Sequence, residues 1–150
     1  MAHNAEQRSL TLTARFENLT EVRKFAAQAA VDCGLKDAAV YAVQMAVDEA
    51  FTNIIEHAYG GECDQVVHTT CVIEADGLTL ILRDCGRSFN PDAVPDPDLD
   101  VSLQERKEGG LGLFFMRQLM DEVHFEFSAE GAKDGGCNIL RMTKRKDRNV

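Results

Sequence analysis

Apolar residues occupy every second position from Leu10 through Leu12 and Ala14 to Phe16, which predicts a half-buried strand. Asn18 to Thr20 then offers capping side chains for a helix whose apolar face is Val22, Phe25, Ala26, Ala29 and Ala30. Gly34 ends it. A second helix begins near Asp37. Its stripe of Val40, Val43, Val47, Ala50 and Ile54 recurs at spacings of three and four, and it runs to about Ala58 before Gly60 and Gly61 stop it. Val66 to Ile73 and Leu78 to Leu82 are β-rich runs joined by the hairpin signal Ala75-Asp76-Gly77. All three prolines, Pro91, Pro95 and Pro97, fall in the acidic stretch that follows, which predicts a long surface loop. Leu111 to Met120 has helical periodicity, Val123, Phe125 and Phe127 alternate as a strand, and a glycine-rich turn leads to a last strand from Cys137 to Thr143. The order β-α-α-β-β-loop-α-β-β predicts an α+β, two-layer sandwich: a mixed, mostly antiparallel sheet with helices on one face. The 150 residues form one domain, with its core from about 10 to 143.

Composition narrows the function. A hydrophobic content of 45% with 27% charged residues is that of a globular protein. The formal net charge of −9 repels a phosphate backbone, so no nucleic-acid partner is expected. The polar start, Met1 to Arg8, lacks a signal-peptide core, and no apolar run approaches a membrane span. The expectation is a cytoplasmic protein with no membrane partner. The five cysteines, Cys33, Cys63, Cys71, Cys85 and Cys137, contain no CxxC pair, and their number is odd. No disulfide framework and no zinc site are expected of them. Cys85 lies in a loop after a strand and is open to modification, although nothing marks it as a nucleophile.

Three segments carry candidate chemistry. On the second helix Glu49, Asn53 and His57 recur at intervals of four, which puts them on one face over successive turns. Magnesium takes oxygen ligands and keeps several waters, so the Asn53 amide oxygen together with phosphate oxygens would hold it. Glu49, one turn earlier, is placed to accept a proton from an attacking hydroxyl. Asp84 follows the strand Leu78 to Arg83. A carboxylate there is costly unless it finds donors, and the exocyclic amine of adenine is one. Gly86, two residues on, would let the backbone approach the base. Finally, Glu108-Gly109-Gly110-Leu111-Gly112-Leu113 opens a helix and leaves amides free to point at phosphates. It is neither a Walker A loop nor a dinucleotide fingerprint, because the required lysine and third glycine are missing.

In their order and spacing these segments resemble the nucleotide-binding boxes of the histidine-kinase/gyrase-type ATPase superfamily. The similarity is greatest to its anti-sigma-factor serine/threonine kinases. It rests on Glu49-Ala50-x-x-Asn53-x-x-x-His57-Ala58-Tyr59, on Asp84-x-Gly86-x-x-Phe89, and on Gly109-Gly110-Leu111-Gly112-Leu113 followed by Met120-Asp121-Glu122-Val123. The resemblance implies the histidine-kinase-like ATPase fold and an enzyme that transfers phosphate from ATP with Mg2+. It makes Glu49 the catalytic base and Asn53 the metal ligand. His57, Asp84, Gly86, Phe89, Gly110, Leu111, Gly112 and Leu113 join Asn53 in the nucleotide site, and residues 90–108 form a lid. The implied partners are a sigma factor, which it sequesters, an anti-anti-sigma (STAS-type) protein, which it phosphorylates on Ser or Thr, and a second copy in a homodimer. Arg23, on the first helix, is a candidate partner contact. The box at Asp84 lacks the second glycine of sensor histidine kinases, and the lid lacks an obvious arginine finger, with Arg106 and Lys107 its basic residues. The alternative is an ATP-gated interaction module with little or no phosphotransfer.

Overall fold

A computed structural model of the chain describes residues 5–88, 110–128 and 136–147. The elements follow the expected order: β1 (Glu6–Thr13), α1 (Leu19–Cys33), α2 (Asp37–Asn53), β2 (Val66–Glu74), β3 (Gly77–Asp84), α3 (Gly110–Leu119), β4 (Glu122–Ser128) and β5 (Cys137–Arg145). The strands form one sheet in the order β1-β2-β3-β5-β4. Every pairing is antiparallel, so the described sheet has no parallel component. The α2 helix packs between α1 and α3, and the helices cover the sheet through contacts with β2, β3 and β4.

The core lies between these layers. Along β3 the buried residues are Leu78, Leu80, Leu82 and Asp84, alternating with half-buried Thr79, Ile81 and Arg83. The three leucines join Val43, Val47, Ala50 and Phe51 of α2 and Val22, Ala26 and Ala29 of α1 in one continuous cluster. The small residues of α1 let that helix lie close to the sheet and to α2. Gly34, at φ 94°, ends α1 in the left-handed region.

Three local expectations are corrected. First, β1 stops at Thr13, and Phe16 lies in a 3-10 turn, Phe16–Asn18, instead of continuing the strand. Asn18 does not cap α1. Its Nδ2 donates to Thr13 O at 2.9 Å and to Thr13 Oγ1 at 3.0 Å, drawing the chain back on the strand end. Second, α2 does not run regularly to Ala58. Ile54–Ala58 forms a π turn, in which Tyr59 N–H donates to Ile54 O at 3.0 Å. Third, Cys85 and Cys137 are joined in a disulfide across 52 residues of sequence, with their Cα atoms 4.0 Å apart. They are neighbours only because β3 pairs with β5, with Asp84 opposite Asn138. Cysteine spacing along the chain carries no trace of that register.

Candidate functional site

The ends of β3 and β5 and the last turns of α2 border an open cleft. One wall comes from Ala50, Asn53 and Ile54 and from His57 and Ala58 of the π turn. Met116 of α3 and Phe125 of β4 contribute apolar surface, and Asp84, Asn138, Ile139 and Leu140 line the sheet side. Few polar groups in a largely apolar cleft is the composition of a small-molecule site.

Asp84 is the centre of the sheet side. It continues the inward series of Leu78, Leu80 and Leu82 and is 3% exposed. Gly86 N–H and Asn138 Nδ2 both donate to its Oδ1, each at 2.9 Å. No described residue donates to Oδ2, so the carboxylate retains an acceptor at the cleft. Burial pushes the Asp84 carboxyl above its usual range, opposed by the hydrogen bonds from Asn138 and Gly86. Asn138 also donates to Arg87 O at 2.8 Å, tying the turn after β3 to β5. Sequence reading missed this residue. The signal was there: in Asn138, Leu140 and Met142 a polar side chain opens an inward series.

At Gly86 the chain makes a close approach to itself. A Cβ at this position would lie 2.4 Å from the carbonyl oxygen of Ala58, so the close approach is to the π turn. Arg87 N–H donates to the same oxygen at 2.8 Å, and Arg87 Nη2 donates to His57 O at 3.0 Å. Tyr59 closes the contact: its hydroxyl donates to Val66 O at 2.8 Å and accepts from Cys85 N–H at 3.1 Å. The Asp84 turn is therefore clamped on the end of α2. Gly86→Ala is expected to destabilise the fold by about 1–3 kcal/mol, the usual range for overpacking, as a lowered midpoint in urea unfolding. An unchanged midpoint would mean that the turn moves freely away from Ala58.

On the helix side, Asn53 and His57 line the cleft, and His57 Nε2 is buried without a hydrogen-bond partner among the described residues. Asn53 likewise has no bond from its amide to a described residue. An unpaired ring nitrogen on a residue that lines a cleft is a group that a ligand would satisfy. Glu49 stands one turn before Asn53, half-buried and outside the lining. Burial raises its carboxyl pKa, and the nearby Asp48 and Glu56 add to the shift. Arg23 of α1 reaches Asp48 Oδ1 at 3.3 Å, so the candidate partner contact is engaged within the chain. Gly110, Leu111, Gly112 and Leu113 form the first turn of α3, where backbone amides lack intrahelical acceptors. Phe89, Gly109 and the expected lid at 90–108 lie outside the described residues.

An antiparallel sheet layered on three helices, with a cleft where an inward carboxylate meets a Glu/Asn-bearing helix, defines a histidine kinase-like ATPase domain. The family model of that description matches residues 12–144. The chain is 33% identical over 148 residues to serine-protein kinase RsbW of Halalkalibacterium halodurans, covering 95% of this chain and 85% of that one. It is 31% identical over 148 residues to serine-protein kinase RsbW of Listeria monocytogenes, covering 96% and 90%. The solved RsbU and RsbW domains of a Mycobacterium tuberculosis protein share the fold at a TM-score of 0.62 and 17% identity. That match covers 97% of this chain, which spans 34% of the solved one. The chain belongs to the histidine kinase-like ATPase family, in its branch of RsbW-type serine-protein kinases. Among the described residues no helix is long and apolar enough to cross a membrane.

Proposed function

We propose that this protein is an ATP-dependent serine/threonine kinase of the anti-sigma type, acting from the cytoplasm as a homodimer. It sequesters a sigma factor and phosphorylates a Ser or Thr of a STAS-type anti-anti-sigma protein. The observation that carries the nucleotide reading is Asp84: a buried carboxylate with one oxygen held by Gly86 and Asn138 and the other left as an acceptor at an apolar cleft. That arrangement suits the amine edge of adenine, with Met116, Phe125 and Leu140 against the faces of the base.

The rest of the site fits a magnesium nucleotide. ATP supplies the phosphoryl group and magnesium offsets its charge. The Asn53 amide oxygen is available as a metal ligand one turn beyond Glu49, and His57 offers a ring nitrogen to the ligand. The amides opening α3 from Gly110 to Leu113 suit phosphate oxygens. Glu49 takes the proton of the attacking hydroxyl, a task for which a raised carboxyl pKa is an advantage near neutral pH. A carboxylate so placed favours a kinase over an ATP-gated interaction module, which has no use for a base. Loading a partner with a phosphate adds about two negative charges to it, and a net charge of −9 on the kinase then favours release.

Titration calorimetry with MgATP tests the reading. The wild type is expected to bind, and Asn53→Ala to bind at least about tenfold more weakly, the worth of one lost bond to a charged group. No heat of binding with the wild type would overturn the nucleotide site.

A further inference from the structure

Cys85 and Cys137 stand one residue beyond the Asp84–Asn138 pair, on the two strands that form the sheet side of the cleft. Cys85 is exposed, whereas Cys137 is 2% exposed. Arg83 Nη2 donates to Cys137 Sγ at 3.4 Å. We propose that this pair is a reversible thiol–disulfide exchange site, taking small thiols and disulfides, and that its oxidation state sets the affinity of the adenine end of the cleft.

The arrangement assigns each sulfur a part. An incoming thiolate attacks Sγ of Cys85, the exposed residue of the pair, forms a mixed disulfide there and breaks the bond to Cys137, which takes the electron pair and leaves as a thiolate. The Arg83 guanidinium stabilises that leaving group. A second thiol then takes the Cys85 adduct away as its own disulfide, leaving two reduced cysteines and an oxidised small thiol. In the reverse direction a small-molecule disulfide is the oxidant: one half leaves as a thiol on attack by Cys137 or Cys85, the other half when the neighbouring cysteine closes the bridge. Cys71 and Cys33 are poor competitors. Cys71 is buried and its thiol is pushed up to about 12, and burial also raises that of Cys33.

The consequence follows from what the bridge holds. Cys85 N–H is bonded to Tyr59, Gly86 N–H to Asp84, and Arg87 N–H to Ala58. Asn138, beside Cys137, donates to both Asp84 and Arg87 O. The disulfide thus cross-links the two partners of the Asp84 clamp, and reduction leaves hydrogen bonds alone to keep the carboxylate aimed. Preorganised groups bind more tightly because less freedom is lost on binding. Reduction is expected to weaken MgATP binding about five- to tenfold.

The affinity effect rests on the nucleotide reading, while the exchange chemistry does not. The full chain would be equilibrated in glutathione buffers from reduced to oxidised, acid-quenched, labelled with a maleimide and mapped by mass spectrometry. MgATP calorimetry and hydrogen exchange of residues 85–87 would be run on both forms. Cys85 and Cys137 are expected to gain and lose label together while Cys71 stays a thiol throughout. The reduced form should bind more weakly and exchange faster, and C85S/C137S should behave as reduced in either buffer. Arg83→Gln should slow reduction without altering the fold. Equal affinity within twofold for the two forms, or a pair that stays reduced in oxidised glutathione, overturns the proposal. If neither form binds MgATP, the nucleotide reading fails. The exchange data then decide alone: faster opening of 85–87 on reduction upholds redox control of the Asp84 clamp, and unchanged opening rejects it.

Discussion

Glu49→Ala should lower phosphoryl transfer by about 10²–10⁴-fold, the usual contribution of a positioned general base, while leaving MgATP affinity nearly unchanged. Glu49 sits on α2 one turn before Asn53 but outside the lining of the cleft, so its loss removes no contact expected to hold the nucleotide. Transfer would be followed in a single turnover from labelled ATP to the anti-anti-sigma protein, and binding by calorimetry. Transfer that survives the substitution would put the base elsewhere. The pH profile gives a second check. Burial first, then Asp48 and Glu56, raise the Glu49 pKa. The base form therefore accumulates at higher pH than for an ordinary Glu, near about 4.3. The wild-type rate should climb with pH above that value. Neutralising Asp48 as Asp48→Asn should shift the climb towards lower pH, because it removes one of the charges that holds the proton on.

Asp84→Asn is expected to reduce MgATP affinity by about 10–100-fold, the range for removing a hydrogen bond to a charged acceptor. An amide at this position can still accept from Gly86 and Asn138 through its oxygen. Its NH2 then occupies the place of Oδ2 and presents a donor to the donor edge of adenine. The same variant should unfold at a higher temperature than the wild type at pH 7. The folded-state pKa of Asp84 is raised, by burial above all. Folding therefore favours the protonated carboxyl: its contribution is fully present below the unfolded pKa and is lost as pH rises through the folded one. At neutral pH the ionised group is a burden that Asn lacks, and near pH 3 the difference between the two proteins should shrink. Thermal unfolding at the two pH values measures this. A variant that is both weaker-binding and less stable at pH 7 would make Asp84 a structural residue. A more stable, non-binding variant is the mark of a group kept for its ligand.

The same two residues show how far sequence alone reaches. Asp84 was legible because a charge at the end of an alternating apolar strand breaks the pattern that built the strand. Glu49, Asn53 and His57 were legible as a row because the helical repeat is local. Asn138 follows the same inward rule on β5, but its meaning depends on pairing with Asp84, 54 residues away. Gly86 was singled out for its conformational freedom, but its contact within the chain was not legible. Its partner is the Ala58 carbonyl, brought there by the π turn, and hydrophobic periodicity does not distinguish a π turn from a regular one.

By itself, then, the sequence determined the order of the elements, the two-layer α+β class and the row of polar groups on α2. Each is set by the period of apolar residues over neighbouring turns or along one strand. Tertiary structure decided which strand lies beside which. That choice put Asn138 on Asp84, Cys137 on Cys85 and the Gly86 turn against the end of α2. Such contacts depend on the register of strands far apart in the chain, selected by the burial of the whole sheet under three helices rather than by any local repeat.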